Sequence, residues 1–505
     1  MAPHHIAAML MPSWGHTGSY ICLVLQLLQK DPTLVVTVVQ HKVLVPRMEA
    51  QLKTCEYDTN RLRLIGVGMK ESPWVDVVKE LIDCWKSTVL HELVVGSEEW
   101  PKPRSIHLDM LSGGFVLEDT RRILGPDCKI LNWFSMALAS LSCVVYDWDF
   151  PAIAQEIFSD EGRRQGRSMD EILEHVALAF NGTDRLSGLV IKFPGRPDMY
   201  DYERFAEGAG QEPARALADK SVAQQWIHGK KLVEGVDGFI VPTSTCVESV
   251  GVPYWREFFK TRGQELFTVG PMALTWMDAP PTAPTSLTLH SFLETALCHH
   301  GPKSVLYISF GSLAFPIATP ELVAALVETL LDLETPFPFI FALGCKIAYL
   351  PTDLIQRVNA SGKGLICHFW VEQRAILQHP ALGWFLTHGG YNSITEGLCQ
   401  GLPLIVWPVF AEQPFNAACL SLGPKPVAIE LMQTRTGPQR APALRGGPSI
   451  TGTVKDASAE FRATFDDARG EKGAVLRENA ENLARDLRDA RSGEVEEALV
   501  GLAKF

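Results

Sequence analysis

Between residues 370 and 413 the chain sets a Trp, a Gln, two His, a Gly-Gly pair, an Asn-Ser pair, a Glu and a closing Glu-Gln around two short apolar runs. Each type suits a different part of one ligand. The run LGWFLTH stops at His388, and Gly389-Gly390 lets the backbone turn sharply and approach a ligand closely. Asn392 and Ser393 are expected to start a helix, with Ile394 and Leu398 on its buried side and Gly401 and Pro403 ending it. A strand, a glycine turn and a helix N-terminus together make a phosphate site, because unpaired N–H groups and the helix dipole point at the anion. His388, Asn392 and Ser393 can add side-chain donors there. Glu396, four residues after Asn392, projects from the same face one turn deeper, where a carboxylate suits a pair of ribose hydroxyls.

Upstream, Trp370 ends the run GLICHFW, placed to stack on a flat base, and Gln373 can offer a donor and an acceptor to that base's edge. Downstream, LPLIVWP opens into VFAEQ and delivers Glu412 and Gln413 to the carboxyl end of a sheet, where open α/β sheets bind ligands. Two such side chains suit a polyhydroxylated group such as a hexose. The ligand so described is a nucleotide sugar. Singly, a Trp at a strand end is usually core and His-Gly-Gly is weak; the signal lies in the combination.

Transfer of a sugar to a hydroxyl needs a base, and neutral imidazole serves near pH 7. His16 in MPSWGHTGS lies in the loop after the first strand, where the competing reading is a His that caps its own helix. A buried carboxylate on the other ring nitrogen would orient the ring and stabilise its charge. Asp109, ending SIHLDML, is the candidate; His107 shares its face of the strand and is expected to be structural or to line the acceptor pocket. NWFSMAL and VVYDWDFPAIA could supply an apolar pocket, although such residues are core more often than lining.

The elements that must position these groups are legible as apolar runs alternating with helical patterns, the mark of parallel α/β architecture. HIAAMLM, LVVTVVQ, RLRLIGV, SIHLDML, CKILNWF and DGFIVPT read as strands of a first domain. After a Pro/Thr/Ala-rich stretch, KSVLYISFGS, PFIFALG, GLICHFW, LGWFLTH, LPLIVWP and PVAIEL read as strands of a second. The expected division is 1–272 for the acceptor, 273–302 as linker, 303–470 for the nucleotide sugar, and 471–505 as terminal helices able to pack back on the first domain. Residues 434–452, rich in turn formers and positive charge, are expected to be a mobile loop.

A chain of 505 residues, 46% hydrophobic, is long enough for two cores. Its net charge of −12 and pI near 5.7 provide no basic stripe, so nucleic acid is not an expected partner. Eleven Cys without a C-x-x-C pair or a metal-spaced cluster point to buried thiols in a reducing compartment. The start HIAAMLMPSWGH lacks a basic region and cleavage signal, and no apolar run reaches about 18 residues. A cytoplasmic monomer with no membrane span is expected. No D-x-D motif sits in a turn-rich loop; the nearest string, Asp147 to Asp149, has aromatic neighbours that read as packing. No metal and no cofactor beyond the donor substrate is expected.

The segment from Trp370 to Gln413 resembles the signature box of the UDP-glycosyltransferases that act on small molecules in plants, fungi and bacteria: W-x-x-Q, then H-x-x-x-G-x-F-x-T-H-x-G-x-N-S-x-x-E, then G-x-P and an acidic residue plus Gln. Matches are Trp370, Gln373, His379, Gly383, Phe385, Thr387, His388, Gly390, Asn392, Ser393, Glu396, Gly401, Pro403, Pro408, Glu412 and Gln413. The resemblance implies a GT-B fold, two Rossmann-like α/β domains facing a cleft that holds the acceptor. It implies that Trp370 stacks on uracil with Gln373 beside it, that Glu396 binds the ribose, that His388, Asn392 and Ser393 bind the diphosphate, and that Glu412 and Gln413 bind the sugar. SVLYISFGS is similar to the family's opening strand of the second domain and carries Ser312 toward the phosphates. The family's catalytic His in a P-x-x-G-H loop falls on His16 and its Asp on Asp109. Val371-Glu372 stands where plant members commonly have Ala-Pro, and Gly389 and Tyr391 where they have Cys and Trp; Tyr391 adjoins the implied sugar site, so the choice of sugar is what these departures touch.

The expected reaction is inverting, metal-independent transfer of a hexose, glucose by family preference, from a UDP-sugar to a small lipophilic acceptor such as a phenol, flavonoid, sterol or hydroxy fatty acid. A dinucleotide oxidoreductase is disfavoured because SWGHTGS lacks G-x-G-x-x-G. A non-catalytic nucleotide-sugar or lipid binder, or an epimerase or phosphorylase of the same fold, remains the alternative.

Overall fold

β-Branched and aliphatic runs flanked by amphipathic helices can hide both faces only in a sheet covered on both sides, and the strands form such sheets. The computed structural model describes residues 3–72, 74–145, 150–181, 188–204, 214–277, 283–368 and 371–505. The chain divides into two compact units, one of residues 1–182, 211–272 and 490–505, the other of 183–210 and 273–489.

In the first unit β1 (His4–Met9), β2 (Leu34–His41), β3 (Leu62–Val67), β4 (Ser105–Asp109) and β5 (Lys129–Trp133) are laid down in turn. A short antiparallel pair follows in chain order, β6 (Val190–Ile191) and β7 (Met199–Tyr200), which belongs to the second unit. The first unit then resumes with β8 (Gly238–Val241) and β9 (Glu265–Thr268). The described strands of its sheet run parallel in the order β3-β2-β1-β4-β5-β8-β9. Every residue of β2, LVVTVVQH, is buried, its polar Thr37, Gln40 and His41 included. Trp133 and Phe134 from NWFSMAL are fully buried core rather than pocket lining, and 146–149, including Asp147 and Asp149, lie outside the described residues.

The second unit repeats the plan with β10 (Val305–Ser309), β11 (Phe339–Ala342), β12 (Gly364–Cys367), β13 (Leu382–Thr387), β14 (Leu404–Val406) and β15 (Ala428–Glu430). Its order is β12-β11-β10-β13-β14-β15, again parallel. The centre of this order, β10-β13, is where the strand sequence reverses direction across the sheet, the switch point at which such sheets open a ligand crevice.

Three segments bear on the expected layout. Residues 273–302, expected as a linker, fall in the second unit and include the helix Leu287–His300, whose Leu289, Leu293 and Ala296 are buried in that unit's core. The helix Glu494–Lys504 joins the first unit: Lys30 pairs with Glu496 at 2.6 Å, and Ala503 accepts a 2.9 Å hydrogen bond from His4. The 434–452 stretch, expected to be a mobile loop, is anchored by charge. Arg435, 1% exposed, bonds Glu430 at 2.8 Å, and Arg445 reaches the same carboxylate at 2.7 Å. Burial alone would raise the Glu430 pKa, but the two guanidiniums outweigh it and hold the carboxyl below its usual range. Residues 188–204 clasp the same region, with Glu203 accepting from the Leu444 N–H at 2.9 Å and Arg196 lying 4.9 Å from the Phe415 ring.

Of the thiols, Cys128, Cys367 and Cys399 are buried while Cys298 is exposed, so burial is not their common feature. Among the described residues no helix is long and apolar enough to cross a membrane.

Candidate active site

In the first unit, β1 ends at Met9 and the helix Trp14–Lys30 begins after Ser13. His16 therefore stands on the first turn of that helix, not in the loop before it. Met9 pairs with Leu108 in the parallel register, which puts Asp109, one residue further, beside that first turn. His16 Nδ1 lies 2.8 Å from Asp109 Oδ2. The carboxylate is fully buried, and its other oxygen accepts the Leu111 N–H at 3.0 Å. With Nδ1–H donated to Asp109, the basic lone pair is on Nε2, the tautomer a general base needs. Trp133, from β5, donates its indole N–H to the His16 carbonyl at 3.1 Å and fixes the turn that carries the ring. His107 is structural: its Nδ1 meets the Tyr20 hydroxyl at 2.6 Å, the ring is wholly buried, and burial pushes its pKa down to about 3.

In the second unit β13 runs fully buried to Thr387, and His388 follows at the sheet's carboxyl end. Gly389 turns the chain at φ +89°, and Asn416 donates to its carbonyl at 2.9 Å, pinning the turn. The helix is Tyr391–Cys399 with Gly390 at its N-cap, so Asn392 and Ser393 do not start it as expected; they occupy its first turn. The gain is chemical: N–H groups of the first turn have no partner within the helix and can serve an anion. A side chain at Gly390 would strike His388 Nε2, and one at Gly311 would come within 2.8 Å of the ring, so two glycines make the seat of this imidazole.

Burial drives the His388 pKa down to about 4, only partly offset by a hydrogen bond with the Ser309 backbone. At neutral pH the ring is uncharged. It can help a diphosphate as a hydrogen-bonding group whose pKa the anion would raise, rather than as a standing cation.

Trp370 lies outside the described residues. Val371 is buried in the second unit's core. Gln373 opens the helix Gln373–Leu377, and its carboxamide is engaged at both ends: Nε2 donates to Glu396 Oε2 at 2.5 Å, and Oε1 accepts from the Tyr307 hydroxyl at 3.1 Å. It is thus directed at the carboxylate expected to hold ribose rather than at a base edge. Glu396 is half-buried, and desolvation pushes its pKa up to about 7 against the lowering effect of Gln373. Tyr307 was not among the residues picked out in the sequence; the signal was a phenol in an otherwise aliphatic buried strand, two residues from Ser309 on the same face.

Ser312 sits half-buried in the turn after β10. Beyond β14 the chain turns through Ala411, at φ +55°, to Glu412 at the N-cap of the helix Gln413–Leu422. Gln413 is 3% exposed, and its Oε1 accepts the N–H groups of Val409 and Phe410, each at 2.9 Å. Its carbonyl oxygen therefore shapes the loop, while Glu412 remains half-buried and Tyr391 is buried. His379, matched in the signature, is structural: it accepts the Ala381 N–H at 3.2 Å and pairs with Glu294 at 3.0 Å. Among the described residues no three His, Cys, Asp or Glu side chains gather as a metal site would require.

Residues 277–435 match the family described as UDP-glucoronosyl and UDP-glucosyl transferase. The UDP-glycosyltransferase eriJ of Hericium erinaceus is 27% identical, over 97% of this chain and 96% of that protein. The abscisate beta-glucosyltransferase of Phaseolus angularis is 29% identical, over 60% of this chain and 62% of that protein. In fold, the chain is similar to Medicago truncatula UGT71G1 complexed with UDP-glucose, with a TM-score of 0.70, 18% identity, and 99% of this chain and 98% of that one covered. Two parallel sheets, with likeness to that structure over nearly the whole chain, define the GT-B architecture. The signature segment lies inside the matched region, and the matched family together with these relatives supports a UDP-glycosyltransferase, an enzyme.

Proposed function

We propose that the protein transfers glucose from UDP-glucose, with inversion at the anomeric carbon, to a hydroxyl of a small lipophilic acceptor such as a phenol, flavonoid, sterol or hydroxy fatty acid. His16 Nε2 takes the acceptor's proton while its oxygen attacks the anomeric carbon. The carbon–oxygen bond to the diphosphate breaks through an oxocarbenium-like state, and UDP leaves. Asp109 holds the ring and offsets the imidazolium charge. Trp370 stacks on uracil with Val371 beside it, Gln373 holds Glu396, and Glu396 accepts from the ribose hydroxyls. The first turn from Tyr391 to Ser393, with Gly390, His388 and Ser312, receives the diphosphate, and Glu412 and Gln413 hold the sugar. The same reading has the enzyme act as a monomer in the cytoplasm, without a metal.

The observation that carries it is the 2.8 Å contact of His16 with a fully buried carboxylate, for which a donor-only binder has no use. Support for glucose comes from a relative described as a beta-glucosyltransferase and a structural neighbour complexed with UDP-glucose. The test is mass spectrometry after incubating purified protein with UDP-glucose and a mixed panel of phenols, flavonoids, sterols and hydroxy fatty acids. A gain of one hexose on an acceptor, with a β-linkage by NMR coupling, is expected. UDP binding without a glycoside from any panel member would favour a binder, and a free or phosphorylated sugar as product would favour an epimerase or phosphorylase.

A further inference from the structure

A run of hydrogen bonds crosses the second unit from β10 to Glu396. The Tyr307 phenol donates to Gln373 Oε1 at 3.1 Å, and Gln373 Nε2 donates to Glu396 at 2.5 Å. Three elements distant in sequence meet here: β10, the helix Gln373–Leu377 and the helix Tyr391–Cys399.

The direction of the chain matters. A carboxamide has two orientations, and a flipped Gln373 would set its oxygen against Glu396, which is tolerable only if that carboxyl is protonated. The orientation seen, with N–H toward Glu396, favours the ionised carboxylate that can accept from two hydroxyls. The phenol's proton goes to Oε1 and polarises the carboxamide N–H toward Glu396. The Tyr307 ring cannot easily leave its place: it is 1% exposed and stacked on Phe385, with centroids 5.1 Å apart.

We propose that Tyr307 is a positioning residue for the donor's ribose, its hydroxyl fixing the Gln373 carboxamide so that Gln373 presents Glu396 as an ionised acceptor. This rests on the reading of Glu396 as the ribose-binding group. A tyrosine that only packs would serve equally well as phenylalanine.

Calorimetric titration of UDP and 2′-deoxy-UDP distinguishes these roles, because only UDP offers both ribose hydroxyls. The wild-type protein should prefer UDP. Tyr307→Phe should lower that preference by about two- to tenfold, the range of one intramolecular hydrogen bond, mainly by weakening UDP. Combined with Glu396→Gln it should add nothing further to the loss of preference. Equal weakening of both nucleotides, or an unchanged preference, overturns the inference. A wild-type protein that binds the two alike would instead remove the ribose role of Glu396, and this inference with it. If Tyr307→Phe does not fold, Gln373→Met breaks the same link from its other side and should shift the preference in the same direction; no shift there overturns the proposal too.

Discussion

His16 and Asp109, 93 residues apart in the chain, meet at 2.8 Å because two adjacent parallel strands end at the same level and a helix begins beside them. The pair fixes the imidazole tautomer before any substrate arrives. His16→Ala is expected to lower kcat by about 10²- to 10⁴-fold, the usual reach of a positioned base, while UDP binds as before. Asp109→Asn should also lower kcat with UDP affinity retained, since the ring loses its acceptor. Loss of UDP binding in His16→Ala would make the residue structural.

Donor affinity should depend on pH through Glu396. Its pKa of about 7 is raised, so at pH 6 the empty site is mostly protonated and a ligand that needs the carboxylate must first displace a proton. UDP-glucose affinity is therefore expected to rise between about pH 6 and pH 8, with a slope approaching tenfold per unit on the acid side. His388, already neutral above its pKa of about 4, adds little in that window. Glu396→Gln should bind more weakly and flatten the profile; a wild-type curve already flat across neutrality would contradict the assignment.

Glu430 binds two arginines in an almost fully buried setting. Glu430→Ala leaves Arg435 and Arg445 without that partner and is expected to cost about 3–5 kcal/mol, visible as a lower apparent melting temperature. Unchanged melting would show that the 434–452 segment is held by other contacts.

Turnover should proceed undiminished in EDTA, because the neutral His388, the helix N-terminus and the turn N–H groups are proposed to receive the leaving diphosphate. Inhibition that added Mg²⁺ or Mn²⁺ relieves would assign that task to a metal.

By itself the sequence determined the parallel α/β class, most strands of both sheets and the segment from Trp370 to Gln413. These follow from local rules: unbroken apolar runs must be buried strands, and glycines before a polar first turn make an anion site wherever they occur. What needed tertiary structure were relations between distant residues. Asp109 could be preferred over His107 only by likeness, since both share one strand face; β1 and β4 settle it by giving one His16 and the other Tyr20. Residues 434–452 looked mobile because turn formers and arginines are local features, whereas the Glu203 and Glu430 that bury Arg435 and Arg445 are not. Tyr307 was not singled out for the same reason: its ring is core, and only the folded chain brings Gln373 to its hydroxyl. Local propensity and periodicity are written along the chain, but charge pairing, pKa and hydrogen-bond direction depend on what packs across it.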